Sequence, residues 1–346
     1  MNKQLISLSV LIAILATAIY YLVVQSNAQQ QQSELFIPGL SASANDIERI
    51  SITTASGELL RAIATDKGWI SRVDGVTEDY PVDQQKLSIL IKELSEVLLL
   101  EAKTKRPQNF AILGLTDLSD PDSQATLIDI STSKDAYQVL IGSAASSGQG
   151  SYARRIDQKQ SWLLNRIISV PSDSFDWLRQ PILDISKQQV IAITRTDVHP
   201  FEIRNNAPQK AGFSLQNMSP KQSLKYDSIV EGFVDSLVNL DFDSIVDPNK
   251  SVLPVDAKTV SYEISIQNGD VIQMQMWHGE QISWVRFEQM TGSEKPYWHG
   301  ITYQIANFSA GQLNKQASDF VETKSDTKPL PINTQSIEEG ESPSSG

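Results

Sequence analysis

Three histidines occur in the chain, His199, His278 and His299. Two sit in matching words, Trp277-His278-Gly279 and Trp298-His299-Gly300, with Glu280 close by. Imidazoles beside a carboxylate are the donor set of a zinc site. The strand pattern argues against a shared ion: if 271–277, 282–288 and 297–305 form a meander, the two histidines fall at its opposite ends. At about 3.4 Å per residue, seven residues separate them by roughly 24 Å, so packing in turns or on a sheet face is the expectation.

The acidic runs carry little more. Asp241, Asp243 and Asp247 resemble a calcium loop, but the glycine and glutamate required at its sixth and twelfth positions are Val246 and Val252. That run reads as a strand ending on a solvated face. Asp117, Asp120 and Asp122 are compatible with a looser calcium loop. The glycine-rich stretch Gly142 to Gly150 lacks the Gly-Lys-Ser/Thr ending of a phosphate loop and precedes a strand, so it reads as a hairpin connection. Neither a Gly-x-Ser-x-Gly elbow nor a His-Glu-x-x-His motif occurs. With 41 acids, pairs at the separation of about 5–9.5 Å used by glycosidases arise by chance. The absence of cysteine excludes a disulfide scaffold, a thiolate zinc site and a cysteine nucleophile.

Nothing in these patterns assembles a catalytic, cofactor or metal set. What remains is a binding candidate: Arg154 and Arg155 beside Tyr152, a cationic and aromatic cluster suited to an anionic glycan or a partner protein. The plainer alternative is an outward strand pair that balances local acids. Trp69, Trp162, Trp177, Trp277, Trp284 and Trp298 read mostly as core or sheet-face residues. A net charge of −12 argues against a nucleic-acid partner, which needs clustered cations.

The elements that must position these residues follow from periodicity and composition. Leu5 to Val24 is an almost uninterrupted apolar run, long enough to cross a hydrocarbon core of about 30 Å. Lys3 precedes it and no cation follows until Arg49, which places the N-terminus in the cytoplasm and the bulk of the chain in the periplasm. Cleavage after Ala28 is the alternative. Residues 1–33 are thus a stub, anchor and spacer, and 322–346, rich in Pro, Glu and Ser, reads as a disordered tail.

Between these ends, landmarks recur. Arg49 to Ile52, Leu59 to Arg61 and Gly68 to Ile70 read as strands, and Val190 to Ile193, Glu202 to Arg204 and Gly212 to Ser214 repeat them 141 to 144 residues later. Each half then has a helix. Asp83 caps one with Leu87, Leu90, Ile91, Leu94 and Leu98 on one face; the other starts near Asp227 and carries Ile229, Phe233, Val234, Leu237 and Leu240. Tyr152-Ala153-Arg154 later pairs with Trp284-Val285-Arg286. This pattern predicts an α+β protein of two similar tandem repeats, 36–182 and 183–321, each a mainly antiparallel sheet covered by one long helix.

Leu35-Phe36-Ile37-Pro38-Gly39-Leu40, Gly68-Trp69, Tyr80-Pro81-Val82-Asp83, Asn109-Phe110 with Leu113-Gly114-Leu115, Tyr152-Ala153-Arg154-Arg155 and Trp162-Leu163-Leu164 resemble the bacterial family of domain of unknown function 4340. The likeness is clearest over the first repeat. It implies an exported, membrane-anchored protein without known activity, encoded near ABC-type transport systems related to gliding-motility components, and carries across no catalytic residue. The expected role is therefore a non-enzymatic membrane-anchored scaffold or accessory module of a transport or envelope complex. A carboxylate-dependent periplasmic enzyme acting on envelope polymer is the alternative, as is a soluble ligand-binding protein if the chain is cleaved after Ala28.

Overall fold

The structure, a computed structural model, describes residues 34–72, 79–207, 212–246, 258–291, 296–298 and 300–323. The apolar run 5–24, His299, Asp247 and residues 324–346 lie outside the described residues. Among those described, no helix is long and apolar enough to cross a membrane.

A short helix, α1 (Leu40–Ser43), leads into β1 (Ile47–Thr54), β2 (Gly57–Thr65), β3 (Gly68–Ser71) and β4 (Tyr80–Pro81). Helix α2 (Gln84–Glu96) follows, then β5 (Leu99–Ala102), β6 (Thr126–Thr132), β7 (Ala136–Ala144), β8 (Ser151–Arg155) and β9 (Ser161–Leu164). These strands form one antiparallel sheet, ordered β4-β3-β2-β1-β6-β7-β8-β9-β5. The second half contains β10 (Val190–Arg195), β11 (Phe201–Ala207), β12 (Gly212–Leu215), β13 (Gln222–Leu224), α3 (Ile229–Val238) and β14 (Ser244–Val246). It continues with β15 (Lys258–Ile266), β16 (Val271–His278), β17 (Ser283–Thr291), β18 (Thr302–Ile305), α4 (Asn307–Leu313), α5 (Ala317–Phe320) and β19 (Val321–Thr323). Its sheet is ordered β12-β11-β10-β15-β16-β17-β18-β14, with β13 and β19 paired separately. Glu322 and Thr323, expected at the start of a tail, instead pair with Ser223 and Gln222.

Helix α2 forms where its cap and spacing direct. Asp83 stands in extended geometry and its Oδ1 accepts from the amides of Gln85 and Lys86, both at 3.0 Å. Leu87, Leu90 and Leu94 are buried in one cluster with Ile50, Ile52 and Leu60. Leu98 is not part of the helix: Val97 is extended and its carbonyl accepts from Phe36, so Leu98 passes into a bridge with Leu35. Helix α3 buries Ile229, Val230, Phe233, Val234, Leu237 and Val238, with Ser228 rather than Asp227 at its cap position.

Neither helix is long. Thirteen and ten residues span about 20 and 15 Å at 1.5 Å per residue. Sheets of nine and eight strands are roughly 35–40 Å wide at about 4.8 Å per strand. Each helix therefore covers part of its sheet. In the first sheet a separate small cluster of Phe110, Leu115, Ala125 and Leu140 forms away from α2.

The two halves share a seam. Tyr80, from the edge of the first sheet, is wholly buried among second-half side chains, its ring edge-on to Tyr297 and Phe242 at 5.2 and 5.9 Å. Gln180 exchanges two hydrogen bonds with the backbone of Phe242, the Ile182 amide donates to Leu240, and the Trp298 indole donates to the Ile182 carbonyl at 3.2 Å.

Candidate functional site

Strand β8 alternates, so Tyr152 and Arg154 point to one face of the first sheet and Ala153 and Arg155 to the other. The structure thus divides the three candidate residues between two surroundings. Tyr152 and Arg154 lie beneath the segment 107–118. The Arg154 guanidinium sits 4.7 Å from the Phe110 ring centre, pairs with the Asp117 carboxylate and is 7% exposed as a side chain. Its Nε is buried with no partner among the described residues. Asp117 is thereby committed to an ion pair, while Asp120 Oδ1 accepts from the Asp122 amide within a turn. Among the described residues no group of three or more His, Asp and Glu is placed to hold a metal.

Arg155 works on the opposite face as an anchor. Its Nε donates to the Phe36 carbonyl at 2.7 Å and its Nη2 to the Leu35 carbonyl at 3.2 Å and to Glu34 at 3.5 Å. It thereby holds the first described residues against the sheet. Beside it lies a hollow of about 300 Å³ lined by Ile37, Pro38, Tyr137, Gln138, Ile156 and Asp157. The glycine-rich stretch joins β7 to β8. A Cβ at Gly150 would clash with the Leu164 carbonyl, and one at Gly142 with the Leu113 carbonyl, so backbone packing demands these glycines.

His278 ends β16 opposite Ser283, the only serine-histidine hydrogen bond among the described residues. Its proton directions can be traced. The Asn307 amide donates its NH2 to the Glu280 carbonyl at 2.9 Å, so its oxygen faces Ser283 and accepts the hydroxyl proton at 2.8 Å. His278 Nδ1, 3.0 Å from the same hydroxyl, is then the donor. A nucleophilic serine needs the reverse, with its proton passing to the imidazole. Ser283 is also fully buried. The group ties the β16–β17 turn to the start of α4. The expected meander is present as β16, β17 and β18, whereas 296–298 forms a 3₁₀ turn. Asp241 and Asp243 precede β14; they do not end a strand.

A buried ion pair escaped the sequence reading, whose only sign was two residues of opposite charge two positions apart. Arg195, 3% exposed, donates from Nε to both oxygens of Asp197 at 2.9 and 2.8 Å, and from Nη1 to the carbonyls of Asn314 and Lys315 at 3.1 and 2.6 Å. Asp197 also accepts from the amides of His199 and Ser261 at 2.9 and 3.3 Å. Burial by itself would raise the Asp197 carboxyl, but those hydrogen bonds and the arginine charge outweigh it and hold the group below the ordinary carboxylate value. Trp177 and Trp298 are core residues, while Trp69, Trp162, Trp277 and Trp284 are half-buried.

A family model described as Domain of unknown function (DUF4340) matches residues 76–259, just over half of the chain and parts of both sheets. No curated protein and no solved structure matches it.

Proposed function

Since the chain belongs to the DUF4340 family, whose description assigns no activity, we propose that it is a non-enzymatic scaffold held in the inner membrane by residues 5–24. Most of the chain lies in the periplasm and supports a partner protein of an ABC-type transport or envelope complex. The observation that carries this reading is where the reactive side chains are committed. The one serine-histidine hydrogen bond among the described residues has its protons running the wrong way for nucleophilic attack, and Arg154, Arg155, Arg195 and Asp197 are bonded within the fold. Interaction modules spread their energy over a surface and need no such group free.

The two sheets are read as an internal duplication with units 36–182 and 183–321. What supports this is strand order. From β3 to β5 the first sheet runs β3-β2-β1-β6-β7-β8-β9-β5, and the second runs β12-β11-β10-β15-β16-β17-β18-β14; in each half a short strand and then the helix come between the first and last of these strands, the short strand β4 extending the first sheet and β13 pairing instead with β19.

A reporter enzyme fused after Ser33 tests the topology, with activity expected in the periplasm and the full chain retained in membranes after a salt wash. Crosslinking in membranes then tests the role, with a transport or envelope protein expected in the adduct. A cytoplasmic reporter signal would overturn the anchor. Loss of complementation by a well-expressed His278→Ala chain would overturn the non-enzymatic reading.

A further inference from the structure

In a chain whose net charge is −12, the first sheet gathers cations at one end of its β5 edge. Ala102 pairs with Trp162; the Lys103 amide then donates to the Ser161 carbonyl and the Ser161 amide to the Thr104 carbonyl, both at 2.9 Å. Lys105 and Arg106 therefore leave the sheet beside the β8–β9 turn, which carries Lys159. All three side chains are exposed and make no ion pair among the described residues. The acids that border them are mostly matched: Glu101 by Lys103 at 2.7 Å, Glu34 by Arg155 at 3.5 Å and Asp117 by Arg154. Asp157, in the same turn as Lys159, has no such match among the described residues, which leaves an excess of two positive charges. Farther along this end of the sheet the turns are mixed, Lys67 with Asp66 and Lys134 with Asp135, and Asp46 and Glu48 flank the start of β1. The positive excess is thus confined to the side formed by β5, β8 and β9.

The described chain begins at the same edge. The Leu99 amide donates to the Glu34 carbonyl and the Phe36 amide to the Val97 carbonyl, so residues 34–36 run antiparallel to 97–99. Their N-terminal end consequently points along β5 toward Lys103. Glu34 stands ten residues beyond Val24, the last residue of the apolar run, a reach of at most about 35 Å. Residues 1–33 contain no acid, so that segment brings no charge that would cancel the lysines and arginine.

We propose that Lys105, Arg106 and Lys159 dock this end of the first sheet on anionic headgroups of the membrane that residues 5–24 cross. The proposal rests on the anchor reading and deepens it by naming the end of the sheet that lies against the bilayer. The arginine fork matches a phosphate in shape and charge, and the lysines act as point charges. Each cation held at an anionic surface multiplies the docked population about fivefold and an acid takes back a similar factor, so an excess of two gives roughly 25-fold. The tether makes so weak an attraction sufficient, because it holds the patch at high effective concentration beside the lipid. An anionic surface repels the rest of this acidic chain, so the patch orients the molecule as well as holding it.

The chain has no cysteine, so a single introduced cysteine carries a single fluorophore. Full-length chain labelled through Gln108→Cys, two residues beyond Arg106, is placed in nanodiscs of phosphatidylcholine bearing a headgroup quencher, with or without about 30% phosphatidylglycerol. Ser56→Cys, in the β1–β2 turn at the opposite end of the sheet, is the reference site. Phosphatidylglycerol is expected to raise quenching at the first site at least about threefold and to leave the reference site little changed. Lys105→Gln combined with Arg106→Gln and Lys159→Gln, exchanges of exposed side chains that leave the fold intact, should remove that gain, as should about 0.5 M salt. Quenching that ignores lipid charge, or a gain that the triple variant keeps, would overturn the proposal. So would stronger quenching at the reference site than at the first. A gain abolished by inorganic phosphate but not by chloride of equal ionic strength would overturn it in favour of a free-phosphate site. A gain seen only after removal of 324–346 would overturn it in favour of a patch occupied by the chain's own acidic end. Failure of the full chain to enter nanodiscs would remove the anchor reading, whereas entry with no response to lipid charge would remove this proposal alone.

Discussion

Replacing Asp197 by alanine should loosen the second half of the protein without touching the first. Arg195 is 3% exposed, and among the described residues its charge is answered chiefly by the Asp197 carboxylate and two backbone carbonyls. Removing one partner of a buried ion pair leaves an uncompensated charge and costs about 3–5 kcal/mol. The amides of His199 and Ser261 lose their acceptor in the same step. At about 2–4 °C per kcal/mol for a unit of this size, the transition of the second cluster should fall by about 10 °C. Differential scanning calorimetry with tryptophan fluorescence reads it. Exchanging both residues, Arg195→Met with Asp197→Ala, should recover part of the loss, because buried pairs replaced by apolar groups are often neutral. The carboxyl sits below its ordinary value in the folded state, so its contribution is complete above that value, 3.8, and declines as pH falls through the lower folded one. The advantage of wild type over Asp197→Asn should therefore be constant near neutrality and shrink below about pH 4. A shift from Asp197→Ala under about 1 kcal/mol, or an advantage over asparagine that grows on acidification, would refute the reasoning.

Three further outcomes follow from the same geometry. Tyr80→Phe removes a buried hydroxyl that has no hydrogen-bond partner among the described residues, so urea denaturation should find it neutral or stabilising by up to about 1 kcal/mol, whereas Tyr80→Ala should cost about 3–5 kcal/mol. Gly150→Ala should destabilise the first sheet by about 1–3 kcal/mol, since the added methyl meets the Leu164 carbonyl; an unchanged denaturation midpoint would contradict the packing described. Ser283→Ala should lower stability by about 1–2 kcal/mol, because it leaves Asn307 Oδ1 and His278 Nδ1 without their partner, while complementation of a deletion strain stays intact; a well-folded but inactive variant would count against a structural role.

Local elements were legible because their causes lie within a few residues. Asp83 caps α2 through amides two and three positions away, and the leucine spacing that marks the helix is the spacing that buries it. The alternation in β1 and β10 likewise predicted strands, since a pleated strand has period two whatever packs on it. Leu98 broke the helical pattern because its neighbour Val97 hydrogen-bonds to Phe36, a contact no helical spacing encodes. The reading of Tyr152, Arg154 and Arg155 as one cluster was too coarse. Adjacent strand residues face opposite ways, and only the packing of 107–118 decides that Arg154 lies covered while Arg155 grips Leu35 and Phe36.

The amino-acid sequence by itself determined the mixed, mainly antiparallel architecture, the position of each half's helix and the lack of a recognisable catalytic motif, because these depend on residue type and short-range period. Tertiary structure alone decided what the polar side chains do. Arg195 reaches carbonyls 119 and 120 residues away, Tyr80 inserts into the other half's core, and the Ser283 proton points to Asn307. Desolvation, charge pairing and the direction of a hydrogen bond are properties of three-dimensional neighbourhood, and these neighbours come from parts of the chain that no short-range pattern relates.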